Sequence, residues 1–190
     1  MSDFIIRPLV AADIEKIKKL HARLVPVNYP PSFFLHLLIQ HSHSSLIALD
    51  PSTDEPVAWV SASLHKSNNH LMIGSLEPHI QLLTLGVLPE YQHRGLAKRL
   101  VWEVIASLHD NPSVPVPPVY THVCTTNTPA QAFYESIGMR FLPGSNPSGA
   151  PYVAKNLYKY PPAWARKANH EENKLFESRD AYVLVGKVTV

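Results

Sequence analysis

The chain has 190 residues, 45% of them hydrophobic and 17% charged, which suits one folded domain with a sizeable core and excludes a disordered chain. A formal net charge of +2, with no dense Lys/Arg run, gives no reason to expect nucleic acid as a partner. Cys124 is the only cysteine, so no intrachain disulfide can form. The start MSDFIIRPL lacks a signal-peptide pattern, and no stretch approaches the ~20 apolar residues that span a bilayer. A cytoplasmic protein without a membrane contact is the expectation.

Phe4 to Ile6 reads as a first strand. Asp13 opens a helix with Ile14, Ile17, Leu20 and Leu24 close to one face. Pro26, Pro30 and Pro31 break it, and a second helix carries Phe33, Phe34, Leu37 and Leu38. Ser45 to Leu49 and Val57 to Leu64 read as strands around the turn-like Asp50-Pro51-Ser52-Thr53-Asp54. A long strand runs from His79 to Val87, where Gly86 marks a bulge or a close backbone approach. A helix from Gly95 to Leu108 follows, then a Pro-rich linker and a strand from Val119 to Thr125. Asn127 begins another helix that Gly138 ends. Met139 to Leu142 and Tyr182 to Val188 are the last strands. Residues 143–180 form a long Pro/Gly/Ser/Asn-rich insertion, a lid or a flexible segment.

The most informative stretch is Leu85-Gly86-Val87-Leu88-Pro89-Glu90-Tyr91-Gln92-His93-Arg94-Gly95-Leu96-Ala97, which places a strand, a tight loop and a helix start in succession. Gln92, Gly95 and Ala97 fit Q/R-x-x-G-x-G/A. A helix start has unpaired N–H groups and the positive end of the dipole, so a pyrophosphate can sit there if no side chain blocks the backbone. His93, Arg94, Lys98 and Arg99 add positive charge. Alone, the pattern also fits an ordinary strand–turn–helix. A second match follows at the right distance: Asn127-x-x-Ala130-x-x-Phe133-Tyr134, then Gly138-Met139-x-Phe141. Asn127 suits an N-cap and Pro129 the first helical turn.

With these motifs and the order of elements before them, the chain resembles a GNAT-superfamily acetyltransferase over nearly its full length. Pro26-Val27-x-Tyr29 between the first helices resembles the loop of N-terminal acetyltransferases. With Tyr120-x-His122-Val123, it is most similar to the catalytic subunit of the NatE class. The Golgi-associated class shares the loop and is the alternative, although its membrane-binding C-terminal helices are not evident here. The resemblance implies an α/β GNAT fold: a mixed, mostly antiparallel twisted sheet of about seven strands with helices on both faces. It also implies acetyl-CoA as cosubstrate, held by Leu85, Val87, Gln92, His93, Arg94, Gly95, Leu96, Ala97, Lys98, Asn127 and Tyr134. The acceptor would be the α-amino group of a peptide or nascent chain. A large helical auxiliary subunit and a sister catalytic subunit at the ribosome are the partners it implies.

Acetyl transfer needs a neutral amine, and an α-amino group of pKa ~8 supplies more of it at neutral pH than lysine at ~10.4. Strand alternation puts Tyr120, His122 and Cys124 on one face. His122 is the general-base candidate; the other reading is a satisfied strand histidine. The family's catalytic tyrosine falls at Gln81, three residues before Thr84-Leu85-Gly86. Glutamine orients a water but takes no proton. Either His122 works through an ordered water alone, the first choice, or Tyr120, Tyr29 or Tyr158 takes the missing role, or activity is reduced. The resemblance makes Tyr134 the donor to the leaving thiolate; packing against Phe133 is the other reading. Val25, Pro26, Val27 and Tyr29 would shape an apolar pocket for the first side chain, suggesting an initiator methionine. Tyr158 resembles the family's lid tyrosine, and Gln81 completes the acceptor site. His36, His41 and His43 lack the spacing of metal ligands, so no metal is expected. An enzyme for lysine side chains or a small amine, and a weakly active docking subunit, are the remaining readings.

Overall fold

The computed structural model describes residues 4–25, 29–65, 78–109, 111, 113–145, 149–158 and 175–188. Its strands are β1 (Ile5–Pro8), β2 (His43–Leu49), β3 (Pro56–His65), β4 (His79–Val87), β5 (Val119–Cys124), β6 (Arg140–Phe141), β7 (Val153–Ala154) and β8 (Ala181–Gly186). The helices are α1 (Ile14–Leu24), α2 (Pro31–Ile39), α3 (Leu96–Leu108) and α4 (Thr128–Ser136). The sheet runs β1-β2-β3-β4-β5-β8-β6, with β7 also on β8. Every pair is antiparallel except β4–β5, which α3 joins as a crossover.

Val57 to Ala62 are all buried, polar Ser61 included, because the middle of the sheet is covered on both faces. Trp59 meets His21 of α1 at 5.6 Å and Phe34 of α2 at 6.2 Å. On the opposite face, Ser44 bonds Ser107 of α3 at 2.6 Å. α1 buries Ile14, Ile17, Leu20 and His21, spaced to form one stripe. Its entry is fixed by Arg7, which grips Asp13 through two bonds of 2.7 and 2.9 Å. That bond, together with the Val10 N–H, holds the Asp13 carboxyl below the usual carboxylate range.

The structure adds detail to two expectations. The bulge in β4 lies at Leu83, where the register steps from Ser61↔Thr84 to Ala62↔Leu82. Gly86 answers to the close approach instead: a Cβ there would stand 2.7 Å from Leu24 Cδ1 of α1. The second is an eighth strand beside the about seven expected. β7 lies inside the long insertion and continues the edge of β8 beyond β6, pairing Val153↔Tyr182 and Ala154↔Ala181. Two residues are too few to carry a periodic signal.

β8 passes close under the turn that follows α4. A Cβ on Gly186 would lie 2.8 Å from the Gly138 carbonyl oxygen and 2.8 Å from Met139 Cα, both of them backbone that cannot swing aside. Gly186→Ala is therefore expected to cost about 1–3 kcal/mol of stability. The urea midpoint should fall accordingly, and an unchanged midpoint would refute the close approach.

Candidate active site

β4 and β5 pair over only three positions, Ile80↔Val119, Gln81↔Tyr120 and Leu82↔Thr121. Beyond Leu82 the strands part, β4 staying with β3 to Val87 and β5 with β8 to Cys124. The Leu83 bulge sits at the parting and adds local twist. At the fork the Thr121 hydroxyl donates to the Leu82 carbonyl at 3.2 Å.

Parting leaves one edge of each strand without a strand partner. Leu88 N–H bonds Val57, so Thr84 and Gly86 share its parity toward β3, while Leu85 and Val87 turn their backbone into the cleft. On β5, Thr125 N–H bonds Asp180, so the backbone of His122 faces the cleft. The Tyr158 hydroxyl donates to the His122 carbonyl at 3.1 Å. Val87 keeps its carbonyl occupied by Gln92 Nε2 at 2.9 Å.

Between the strands lies a cavity of about 350 Å³. Gln81 pairs Ser63, which shares the face of Trp59, so Gln81, Tyr120, His122 and Cys124 all face the α1–α2 side. Tyr29 stacks on Phe33 at 4.2 Å and, with Val25, walls this side. Gln81 Oε1 lies 3.3 Å from His65 Nε2. The Tyr120 and His122 rings meet edge-on at 5.8 Å. Tyr134 of α4 is buried and lines the cavity. Among the described residues no carboxylate lines the cavity.

Burial sets the protonation states. It lowers the His122 pKa, so the imidazole is neutral near pH 7 with a lone pair to accept a proton. It raises Tyr29, Tyr120 and Tyr158, and pushes Tyr134 up to about 12, so all four phenols keep their protons.

At the open end of β4, a one-turn 3-10 helix, Pro89–Tyr91, leads into the loop before α3. His93 and Gly95 both take left-handed backbone, with φ of 58° and 77°. Gly95 caps α3, and Arg99 N–H makes the first bond back to its carbonyl at 3.0 Å. The N–H groups of Leu96, Ala97 and Lys98 have no acceptor among the described residues. Nothing lies within 4 Å of a Cβ placed on Gly95, so the approach to these amides is open. The loop therefore fits a diphosphate. Arg94 rests 5.4 Å over the Tyr91 ring and Lys98 4.5 Å over Trp102. Asn127 caps α4, accepting from Ala130 N–H at 3.2 Å, and also lines the cavity.

The acetyltransferase (GNAT) family model matches residues 14–139, which contain β2 to β5, the loop before α3 and all four helices. The chain belongs to the GNAT acetyltransferase family. Curated relatives include N-alpha-acetyltransferase 60 of Xenopus tropicalis, 27% identical over 72% of this GNAT chain and 59% of that protein. Another is histone acetyltransferase MCC1 of Arabidopsis thaliana, 28% identical over 70% of the chain and 59% of that protein. The chain thus spans about three-fifths of the length of these relatives. Among solved structures, Arabidopsis thaliana NAA60 with a bisubstrate analogue superposes with a TM-score of 0.70 at 23% identity, covering 98% of the chain and 100% of that one.

The structure brings His122, Tyr134, Leu85, Asn127, Val25, Tyr29, Gln81 and Tyr158 around one cavity. Gln92, His93, Arg94, Gly95, Leu96, Ala97 and Lys98 stand together at the start of α3. Pro26 and Val27 lie outside the described residues. Gln92 is turned inward, buttressing Val87. Sequence reasoning missed Phe33, Thr121, Leu157 and Phe176 as lining groups. Thr121 alone had a usable signal, its place on the strand between Tyr120 and His122. Among the described residues no group of three or more His, Cys, Asp or Glu is placed to hold a metal ion.

Because the Tyr158 hydroxyl is bonded to a cleft carbonyl, Tyr158→Phe should lower the unfolding free energy by about 1 kcal/mol. Chemical denaturation reads this directly, and an unshifted transition would mean the bond contributes nothing.

Proposed function

We propose that this chain transfers the acetyl group of acetyl-CoA to the free α-amino group of a protein N-terminus. One observation carries the reading: a neutral histidine borders an aromatic cavity that, among the described residues, has no carboxylate, beside a helix start whose first amides find no acceptor among those residues. The amides of Leu96, Ala97 and Lys98 would hold the diphosphate, with Arg94 and Lys98 supplying charge, and the cleft edge of Leu85 would bond the pantetheine arm. When bound, the cosubstrate supplies an activated thioester.

The remaining chemistry belongs to the chain. The acceptor attacks as the neutral amine, and His122 accepts the proton its nitrogen releases as the new C–N bond forms, directly or through a water held by Gln81. Tyr134 Oη holds a proton beside the cleft and is suited to the departing sulfur. Tyr158 Oη, while donating to His122, keeps lone pairs for a peptide N–H. Val25, Tyr29 and Phe33 offer an apolar wall to the first side chain, for which methionine is the best candidate.

The lack of acidic lining among the described residues favours an α-amine over polycationic acceptors: no described carboxylate pairs with the ammonium form of the acceptor. A lysine acceptor is the second reading, supported by the relative described as a histone acetyltransferase. Of the N-terminal classes, NatE is our choice on the Tyr29 loop and the Tyr120–His122 pair, with work on nascent chains in the cytoplasm. Docking on an auxiliary subunit fits one relative, described as the catalytic subunit ard1 of the N-terminal acetyltransferase A complex of Schizosaccharomyces pombe.

Turnover on peptides varied at the first two residues, beside lysine peptides with blocked termini, tests the reading. Met-starting peptides should be acetylated fastest, and a preference for blocked lysine peptides would overturn the assignment. His122→Ala should lower kcat by about 100-fold or more. Since burial lowers the His122 pKa, the acidic limb of kcat should fall off below the ordinary ~6.5, as the base is lost only on its protonation. A limb above 6.5, or one retained in His122→Ala, would remove His122 from the role.

A further inference from the structure

The loop that receives the diphosphate is held in a conformation its own backbone disfavours. His93 has a Cβ and a φ of 58°, and left-handed backbone costs a side-chain-bearing residue roughly 1 kcal/mol. Something outside the loop must hold it. Gln92 bonds the end of β4, and the second tether comes from the turn between β2 and β3.

Asp50 sits at the start of that turn. Its Oδ2 accepts the Tyr91 hydroxyl at 2.7 Å, across 41 residues of sequence. Its Oδ1 accepts the Ser52 N–H at 2.8 Å and the Ser52 hydroxyl at 2.5 Å. The backbone of Asp50 is pinned as well, donating to Glu55 at 3.0 Å and accepting from Asp54 at 2.8 Å. The Ser52 and Tyr91 bonds hold the carboxyl at about 2, so the acceptor is ionised throughout the neutral range. Tyr91 is the last residue of the 3-10 turn before the loop. Phe4 meets its ring edge-on at 5.9 Å, and the Arg94 guanidinium lies 5.4 Å above it. Arg94 Nη2 also donates to the Glu90 carbonyl at 2.9 Å. Among the described residues Arg94 has no carboxylate partner, so its charge is placed but not neutralised.

We propose that Asp50 is a positioning residue for the cofactor: through Tyr91 it fixes the loop 92–95 and the guanidinium of Arg94 in the geometry that receives the diphosphate. This rests on the acetyl-CoA reading above. A charge-assisted bond to a phenol that is itself stacked under a cation transmits order from a rigid turn to a strained loop. Losing it weakens cofactor capture and leaves the chemistry at His122 untouched.

The test is calorimetric titration of coenzyme A, with steady-state kinetics, on the wild type, Tyr91→Phe, Asp50→Asn and the double variant. Tyr91→Phe keeps the ring against Phe4 and Arg94 and removes only the hydroxyl, so it decides the matter even if Asp50→Asn fails to fold. Each single variant should raise Kd, and KM for acetyl-CoA, about fivefold to tenfold. The double variant should bind no worse than the weaker single one. At saturating acetyl-CoA, kcat should stay within about twofold and peptide KM should not move. Lys16→Ala, which removes the 2.9 Å ion pair from the same turn to Glu55, should leave Kd unchanged. A wild type that binds no coenzyme A would sink the acetyl-CoA reading itself. A wild type that binds, with Tyr91→Phe binding equally well, would overturn the positioning role alone. So would an equal loss of affinity in Lys16→Ala, which would reduce the turn to general support.

Discussion

Everything in the site depends on β4 and β5 ceasing to pair after three residues. A parallel pair that continued would satisfy the backbone of Leu85, Val87 and His122 within the sheet and leave no cavity. Breaking it exposes backbone polar groups, which is costly unless other partners are found. The structure finds some internally: Tyr158 covers His122 and Gln92 covers Val87. The backbone of Leu85 is left to a ligand able to mimic a strand edge. The Thr121 hydroxyl on Leu82 sits where the fork begins and supplies one bond at the last paired position. A site is thus created by withholding a piece of sheet rather than by adding a loop.

The second constraint is electrostatic. Desolvation in the cleft pushes acids and bases toward their neutral forms: the phenols keep their protons and His122 loses its own. Such a cavity suits a reaction in which the acceptor must arrive uncharged. The positive field is kept apart, at the start of α3 and on its basic side chains, where an anion can be held without charging the reacting centre. One long strand and one helix start, joined by a short loop, separate the two functions.

Much of this was legible in the chain. The loop from Leu88 to Ala97 announced itself because left-handed backbone requires glycine at Gly95 and a helix start requires bare amides. Asn127 and Pro129 marked α4 by capping chemistry that depends on neighbours only. What stayed hidden was set at long range. The bulge at Leu83 arises from pairing with Ser61 and Ala62, some twenty residues away, and no glycine marks it. β7 exists only because β8 offers an edge. Phe176 and Leu157 reach the cavity from an insertion with no motif to place them. The Asp50–Tyr91 bond joins two unremarkable residues of turns that sequence spacing does not relate.

Gln81 occupies the position at which the family resemblance implies a tyrosine, and the geometry bears on what replaces it. Its carboxamide oxygen faces His65, an arrangement that turns the NH2 group toward other acceptors and gives it no means of taking a proton. The neighbouring phenols do not substitute as bases, since burial raises each of Tyr29, Tyr120 and Tyr158 further from the neutral range. A phenol that holds its proton more tightly is a better donor to oxygen than acceptor of a proton from an amine. Of the tyrosines weighed for the missing role, none gains from its surroundings, whereas His122 does. Under the acetyl-transfer reading the proton therefore goes to His122, with Gln81 ordering a water rather than sharing the proton. The loss of a second base matters least when the acceptor is an α-amine, whose pKa of ~8 already lies close to working pH. The same replacement would be far more damaging to an enzyme of lysine side chains. Gln81 and the α-amine assignment thus support each other through the one quantity both depend on, the fraction of acceptor that enters the cleft unprotonated.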